Sequence, residues 1–266
     1  HRNWGFLAYH RGLLFGSVAN AEHAISPRYQ NLPLRNESVL FFALDSKTGK
    51  TKWTYKPQES IRHNAVSIGE NTVYLIDRKL PLADRITNPR RDGRHRERLK
   101  EGDQDFGRLM ALDVANGEVR WQSADRIWGT QLAVSTKEGV LLMSYQAMRH
   151  KFFRLPSEVG DRLAAFDART GKRLWDREAK YESRPVINGR TLYAQGGAWD
   201  LIDGSTKPFS LDRSYGCGQI SSGKNVMLFR SGTLGYLDLS REENVENFGG
   251  TRPDCYINVI PTGGLV

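Results

Sequence analysis

Three segments of the chain share one pattern, and this pattern constrains the fold more than any other feature. The segments are ALDSKTGKTKW (43–53), ALDVANGEVRW (111–121) and AFDARTGKRLW (165–175). Each contains Ala, an Asp two positions later, Thr or Asn followed by Gly, and a final Trp. Because the segments begin at unequal intervals of the same order, they predict a repeat architecture with insertions of variable length.

Each copy of the pattern predicts a β-hairpin. The residues before the Asp form apolar runs such as VLFFALD and GRLMALD, which favour strands. The Thr-Gly or Asn-Gly pair favours a tight turn, because Gly adopts positive φ without strain. The charged, alternating residues that follow are typical of an edge strand. The Trp recurs at one register of that strand, where its ring can pack against the neighbouring sheet.

A second hairpin precedes each of these, so the repeating unit has four antiparallel strands. Its second strands are predicted at GLLFGSV (12–18), NTVYLID (71–77), GVLLMSY (139–145), RTLYAQG (190–196) and KNVMLFR (224–230). Four-stranded units at this spacing predict an all-β fold, a β-propeller that forms a single domain over 1–266. The expected blades are 4–56, 61–123, 127–177, 182–212 and 215–250, with the start of the next at 254–266. Five blades and one strand leave an open edge, so we expect either that the chain is part of a ring of seven or eight blades or that other residues close the ring.

The repeat A-x-D-x-x-T-G-x-x-x-W resembles the tryptophan-docking motif of the pyrroloquinoline-quinone-like (PQQ-like) β-propellers, whose architecture is WD40-like. That superfamily includes quinoprotein alcohol dehydrogenases and an outer-membrane assembly lipoprotein that acts as a scaffold. The resemblance is clear over about 40–180 and weaker elsewhere. It implies a structural docking role for Asp45, Gly49 and Trp53, for Asp113, Gly117 and Trp121, and for Asp167, Gly171 and Trp175. It also implies a bacterial protein with a periplasmic or otherwise extracytoplasmic location.

For an enzyme of this family, the resemblance implies PQQ, calcium held by Glu, Asn and Asp, a Trp platform, a disulfide between adjacent cysteines and a catalytic Asp. The two cysteines of the chain, Cys217 and Cys255, are not adjacent. No carboxylate matches the catalytic position, so we assign neither catalytic nor metal-binding residues. Because Cys217 and Cys255 occupy matching places in neighbouring blades, either a disulfide or two free buried thiols would fit.

The chain carries a formal net charge of +9. Such a charge favours anionic partners, although a basic surface also serves solubility alone. No apolar run approaches the roughly 18–20 residues of a membrane helix. Residues 1–10 lack the pattern of a secretion signal.

Three long connections between second and third strands are expected on one face of the fold: insertion one (20–37), insertion two (78–106) and insertion three (147–160). Insertions on one face indicate a binding surface. Arginines in these insertions suit phosphate, sulfate or carboxylate groups. Basic residues beside aromatic ones, as in insertion three, suit nucleic acid or a glycan. The alternative is that these insertions are solvated loops without a binding site. The candidate ligand-binding residues are Arg90, Arg91, Arg94, Arg96, Arg98, Arg149, Lys151 and Arg154.

The first strand of each blade should line a central channel. Four residues near the start of these strands are channel candidates for a ligand or cofactor: His63, Asn64, Trp128 and Arg184. A structural role for the histidine and core packing for Trp128 are the alternatives.

Three functions are compatible with these features. The first is a non-catalytic binding or scaffold domain that contacts a protein partner or other domains of the same polypeptide. The second is a PQQ-dependent oxidoreductase module. The third is a domain that binds an anionic polymer, polysaccharide or nucleic acid, through its basic loops.

Overall fold

The computed structural model describes residues 3–25, 35–85, 98–147, 155–216, 219–241, 244–253 and 259–261. Within these ranges the chain forms β-strands and two short 3-10 helices, Leu82–Asp84 and Glu101–Asp103. In the same ranges, no helix has the length and apolar character needed to cross a bilayer.

The first sheet has eight strands and consists of two four-stranded halves. The first half contains β1 (Trp4–His10), β2 (Leu13–Ala19), β3 (Glu37–Asp45) and β4 (Thr51–Tyr55). The second half contains β5 (Ser60–Ile68), β6 (Thr72–Arg78), β7 (Gly107–Asp113) and β8 (Val119–Ile127). The strand order is β1-β2-β3-β5-β6-β7-β8, with β4 paired to β3. Because β3 and β5 pair only at Glu37–Arg62 and Ser38–Ile61, each half is a four-stranded antiparallel unit.

Three further sheets of four strands follow in chain order. The first of them contains β9 (Gln131–Ser135), β10 (Val140–Ser144), β11 (Arg162–Asp167) and β12 (Arg173–Glu178). The next contains β13 (Val186–Asn188), β14 (Thr191–Ala194), β15 (Gly197–Asp200) and β16 (Thr206–Lys207). The last contains β17 (Ser221–Ser222), β18 (Val226–Ser231), β19 (Thr233–Asp238) and β20 (Glu246–Asn247). The outer strands β16 and β20 are only two residues long, and the repeat pattern is weakest there.

The strand residues explain why these segments pair. The strand β6, TVYLIDR, is rich in β-branched and aromatic residues and is buried along its whole length. The predicted second strands fall on β2, β6, β10, β14 and β18. These strands could be predicted from the sequence because each is an apolar run bounded by turn residues.

The chain divides into two compact units. One comprises His1–Met143, Arg154–Val159 and Phe166–Arg173, and the other comprises Ser144–Phe153, Gly160–Ala165 and Leu174–Val266. A core cluster of the first unit contains Phe15, Phe41, Ala43, Trp53, Ile61, Val66, Val73, Leu75, Met110, Leu112 and Val114. A core cluster of the second contains Leu211, Ile220, Met227, Phe229 and Leu237.

Candidate functional site

The repeat turns are built by the side chain of their Asp. Asp45 Oδ1 accepts hydrogen bonds from the backbone N–H groups of Lys47 and Thr48 and from the Thr48 hydroxyl, at 3.1, 2.9 and 2.9 Å. The two bonds from Thr48 hold the pKa of the Asp45 carboxyl below its usual value. Gly49 closes the turn with φ +69 and donates its N–H to the Asp45 carbonyl at 2.8 Å. Asp therefore organises the turn, and Gly supplies the left-handed backbone conformation.

Each indole of the repeat contacts the turn of the following repeat. The Nε1–H of Trp53 donates to the Val114 carbonyl at 2.9 Å, and that of Trp121 donates to the Ala168 carbonyl at 3.2 Å. Within the second unit, Trp175 donates to the Leu201 carbonyl at 3.0 Å. In every case the acceptor is the residue directly after the Asp of the next turn.

The indole rings also cover the glycines of these turns. A Cβ atom built on Gly117 would lie 2.7 Å from the Trp53 ring, and one on Gly171 would lie 2.5 Å from the Trp121 ring. The third pair is Gly204 with Trp175, at 2.7 Å. These glycines are needed both for their positive φ and for the close approach of a ring.

The turn that receives Trp175 was not identified by the sequence pattern. It runs from Asp200 to Gly204, and the Asp200 carboxylate accepts the N–H of Ile202 at 2.8 Å. Its sequence is WDLIDGSTK, in which Asp and Gly keep their spacing while Asp203 replaces Thr or Asn. The spacing of four residues between Asp and Gly, which this turn shares with the others, is the sequence signal that could have identified it.

We expect Gly171→Ala to destabilise the chain more than Gly139→Ala. Both glycines have positive φ, +72 and +65, so either substitution should cost about 1 kcal/mol through the backbone. The new methyl group at Gly171 also meets the Trp121 ring, whereas one at Gly139 meets nothing within 4 Å in the described part of the chain. Overpacking should add about 1–3 kcal/mol at Gly171 only, measurable by urea unfolding. Equal losses would show that the indole does not pack on the glycine.

A buried ion cluster connects the three insertions. Arg62, on β5, binds Glu37 of insertion one through Nε at 2.8 Å and Asp84 of insertion two through Nη2 at 2.8 Å. Its Nη1 binds Glu158 of insertion three at 2.5 Å. The side chains of all four residues are no more than 2% exposed. One guanidinium thus joins the three connections that are expected on the binding face.

Hydroxyl groups complete the cluster. Ser60 Oγ donates to Glu37 at 2.8 Å, and Thr130 Oγ1 donates to Glu158 at 2.5 Å. Ser157 donates both its N–H and its hydroxyl to Asp84, at 2.9 and 2.5 Å. Burial by itself would lower the pKa of Arg62, but Glu37, Glu158 and Asp84 together raise that pKa above its ordinary value. The guanidinium is therefore permanently charged, and the cluster acts as a structural clamp.

Two histidines lie near the clamp. His23 of insertion one is 1% exposed, and neither ring nitrogen has a hydrogen-bond partner among the described residues. Burial lowers the pKa of His23, and the nearby Glu37 and Asp84 oppose that shift only in part. His63, on β5, packs against Gly5, where a Cβ would lie 2.1 Å from its Nε2. Burial also lowers the pKa of His63.

We expect the chain to lose stability as the pH falls through the ordinary titration range of histidine. A histidine with a lowered pKa in the folded state binds its proton more tightly in the unfolded state, so protonation favours unfolding. The stability contributed by a neutral His23 is present above its unfolded pKa of about 6.5 and decreases as the pH falls toward the folded pKa. His23→Gln should reduce this loss in urea unfolding between about pH 7.5 and pH 5.5. Parallel pH profiles of the two proteins would contradict the assignment.

The other predicted site residues are not brought together by the described part of the chain. Asn64 lies beside His63 on β5, and Trp128 lies between β8 and β9. Arg184 precedes β13 in the second unit, where burial lowers its pKa. Arg98 donates to the Val159 carbonyl at 2.8 Å, so it joins insertion two to insertion three. Outside the described residues lie Arg90, Arg91, Arg94, Arg96, Arg149, Lys151, Arg154, Cys217 and Cys255.

Among the described residues, neither an open Trp128 platform nor a metal-binding group is present for PQQ with calcium. Trp128 is 2% exposed, so neither face of its indole is open for a cofactor to stack on. Over the described ranges, no group of three or more His, Cys, Asp or Glu side chains is arranged to hold a metal ion. The acidic side chains of the clamp surround Arg62 instead.

Comparisons with known proteins agree with this architecture. A family model described as outer membrane protein assembly factor BamB matches residues 30–227. No curated protein sequence matches the chain significantly. The structure of BamB from Moraxella catarrhalis is 16% identical, with a TM-score of 0.45 over 89% of this chain and 72% of that one.

Two other solved structures reach higher TM-scores. Quinohemoprotein alcohol dehydrogenase from Comamonas testosteroni is 16% identical, with a TM-score of 0.51 over 93% of this chain and 43% of that one. The Pan2 WD40 domain from Neurospora crassa is 8% identical, with a TM-score of 0.54 over 96% of this chain and 68% of that one. At these identities the similarity shows the fold alone.

The predicted fold class is confirmed: the chain is an all-β propeller protein with four-stranded antiparallel sheets. The blade boundaries, the single domain over 1–266 and the size of the complete ring stay predictions. The matched segment 30–227 covers most of the chain, including all three copies of the repeat. The chain therefore belongs to the PQQ-like propeller family whose model is described as outer membrane protein assembly factor BamB.

Proposed function

We propose that the chain is a non-catalytic binding or scaffold domain whose partner surface is formed by insertions one, two and three. The observation that supports this proposal most directly is the clamp of Arg62 on Glu37, Asp84 and Glu158. A surface made of long loops binds better when the loops are fixed before binding, since less conformational entropy is lost. The buried clamp fixes the bases of all three insertions in this way.

Further contacts between insertions two and three support the same function. Gln104 Nε2 donates to the Ser157 carbonyl at 2.8 Å, and Leu99 N–H donates to the Pro156 carbonyl at 2.9 Å. Together with the bond from Arg98 to Val159, they hold the described C-terminal ends of the two insertions side by side. We propose a protein partner or another domain of the same polypeptide, in an extracytoplasmic compartment of a bacterium. The description of the matching family, an outer membrane protein assembly factor, supports that setting.

A second candidate function is binding of an anionic polymer. It is favoured by the net charge of +9 and by the arginines of insertion two. Heparin is a suitable probe, because binding through several cationic side chains releases counterions and weakens steeply with salt.

The experiment measures heparin affinity at several salt concentrations. We expect Arg90→Ala/Arg91→Ala/Arg94→Ala to reduce the slope of log affinity against log salt by about two to three, with an unchanged melting temperature. The matched control, Lys47→Ala/Lys50→Ala/Lys52→Ala, removes the same charge from an exposed repeat turn outside the insertions. Equal effects of the two triple variants would contradict a polymer site on insertion two.

A PQQ-dependent oxidoreductase is the remaining alternative. A ligand that binds only the folded state stabilises it by RT ln(1 + L/Kd), where L is the free ligand concentration, so the melting temperature rises with the logarithm of ligand concentration once that concentration exceeds Kd. For a non-catalytic scaffold domain, we expect no shift of the melting temperature when PQQ and calcium are added together. A shift that requires both additions would overturn the proposal in favour of the enzyme.

A further inference from the structure

The chain contains two Asn-Gly pairs, Asn116–Gly117 and Asn188–Gly189. In such a pair, the backbone nitrogen of the glycine can attack the side-chain carbonyl carbon, Cγ, of the asparagine, because glycine has no Cβ to obstruct the approach. A bond from this nitrogen to Cγ forms, the Cγ–Nδ2 bond breaks, and ammonia leaves a cyclic imide behind. Water then opens the imide to aspartate or isoaspartate. The contacts of each pair decide whether this reaction can occur in the folded chain.

The pair Asn116–Gly117 is protected by its turn. The Gly117 N–H donates to the Asp113 carbonyl at 2.9 Å, and the Trp53 ring covers the glycine. The Asn116 side chain is also held, since its Nδ2 donates to Glu118 Oε2 at 2.9 Å and its Oδ1 accepts the Glu118 N–H at 3.0 Å. The attacking nitrogen is therefore engaged in a hydrogen bond beneath a ring, and this pair should react only when the turn opens.

The backbone at Asn188–Gly189 is open instead. Gly189 is the first of the two turn residues between β13 and β14, and its φ of +57 is that of a type II′ hairpin. The glycine is exposed, and a Cβ built on it would meet nothing within 4 Å in the described ranges. Over the same ranges, its N–H has no hydrogen-bond acceptor. The attacking nitrogen is therefore accessible to water and base, which the reaction requires.

The side chain of Asn188 connects two sheets of the second unit. Its Nδ2 donates to Ser222 Oγ at 3.2 Å and to the carbonyls of Gly223 and Lys224, both at 3.0 Å. These acceptors lie at the turn between β17 and β18, whereas Asn188 ends β13. Because β17 is only two residues long, this end of the last sheet opens locally at a low free energy. Each opening frees the Asn188 amide for attack by the nitrogen of Gly189.

We propose that Asn188–Gly189 is a modification site, at which deamidation removes the link between the sheet of β13–β16 and the last sheet. Hydroxide takes the proton of the Gly189 N–H, the nitrogen attacks Asn188 Cγ, and the departing Nδ2 group gains a proton and leaves as ammonia. Hydrolysis of the imide consumes a water molecule. In the net reaction, an amide and a water become a carboxylate and an ammonium ion, and water is the co-reactant.

The product cannot restore the contact between the two sheets. A carboxylate has no N–H to donate, and the carbonyls of Gly223 and Lys224 can only accept hydrogen bonds. A negative charge beside these oxygens costs free energy, because no donor replaces the lost bonds. Isoaspartate also adds a methylene group to the backbone and changes the turn geometry that pairs β13 with β14. Deamidation at Asn188 therefore makes a reversible opening permanent.

Conversion of Asn116 to aspartate should have no such effect. Asp203 occupies the matching position of the Asp200–Gly204 turn, and its Oδ1 accepts the N–H of Ser205 at 2.7 Å. Asn116 Oδ1 accepts the N–H of Glu118 in the same way, at 3.0 Å. The bond from Asn116 Nδ2 to the Glu118 carboxylate is exposed, so water replaces it. The same chemical change is thus silent at one Asn-Gly pair and disruptive at the other.

The first test incubates the native chain in mildly alkaline buffer and measures deamidation at each pair by peptide mass spectrometry. We expect Asn188 to react about tenfold faster than Asn116, because the Gly189 nitrogen is free in the folded state and the Gly117 nitrogen is not. In the urea-unfolded chain, where both turns are lost, the two rates should be similar. Equal rates in the native chain, or a faster reaction at Asn116, would overturn the proposal.

The second test measures hydrogen exchange in the β17–β18 hairpin of Asn188→Asp, which mimics the aspartate product. We expect the amides of residues 221–228 to exchange about tenfold faster than in the unmodified chain, because the link to the β13–β14 turn is lost. Asn116→Asp is the matched control and should leave these amides, and those of the Asp113–Gly117 turn, unchanged. Unaltered exchange in Asn188→Asp would contradict the coupling between the two sheets.

Discussion

Replacing Arg62 by methionine should destabilise the folded chain by about 3–5 kcal/mol. The substitution leaves Glu37, Asp84 and Glu158 buried next to one another without their shared counter-charge. Removing one partner of a buried ion pair costs more than the pair contributes, because the remaining charges are neither solvated nor neutralised. Urea unfolding at neutral pH measures the loss directly.

An exposed arginine supplies the matched control. Arg11 binds Glu70 at 2.8 Å, but their side chains are 49% and 59% exposed. Arg11→Met should therefore change the free energy of unfolding by less than about 1 kcal/mol. If the two substitutions had equal effects, the Arg62 cluster would not clamp the three insertions, and the support for a preorganised binding face would be lost.

Trp53→Ala should cost about 3–5 kcal/mol, the usual range for removing a buried aromatic side chain. Trp53 is 7% exposed and belongs to the core of the first unit, with ring centroids of Phe15 and Phe41 each 5.9 Å away. The substitution also removes the hydrogen bond to Val114 and uncovers Gly117. Packing and hydrogen bonding between two repeats are lost in one change.

Trp4→Ala tests whether the destabilisation expected for Trp53→Ala depends on the docked position of Trp53 or would follow from removing any tryptophan of the first sheet. Trp4 is 52% exposed and contacts Phe42 edge-on at 5.3 Å. Its removal should cost about 1 kcal/mol or less, since most of its surface already faces water. A loss below about 1 kcal/mol for Trp53→Ala would instead contradict the role of the indole in joining repeats.

The repeats could be predicted from the sequence because their determinants are local. Asp45, Gly49 and Trp53 lie within one short segment, and each position has a separate physical requirement: a turn acceptor, a positive φ and an apolar ring. The same logic failed at Asp200–Gly204 because Asp203 stands where the pattern requires Thr or Asn, and Pro208 stands where it requires Trp. In the structure, the turn forms without a Thr or Asn side chain, through backbone N–H bonds to the carboxylate and the carbonyl of Asp200.

The Arg62 clamp could not be predicted in the same way. Its carboxylates lie 25, 22 and 96 residues from Arg62 in the sequence, and each stands among many other charged residues. No periodicity distinguishes a buried Glu37 from an exposed Glu70. Arg98 was predicted to bind a ligand because it belongs to the basic run of insertion two. In the structure, its guanidinium donates to the Val159 carbonyl. Ligand binding by the rest of that run stays a prediction.

The direction in which the indoles dock gives the chain a polarity. Trp53 reaches forward to the turn at Gly117, Trp121 to Gly171 and Trp175 to Gly204, always toward the later repeat. Cooperativity is therefore expected to pass from neighbour to neighbour rather than through one shared core. A repeat inserted or deleted as a whole preserves every donor and acceptor at its two borders, which makes the length of such chains easy to change during evolution.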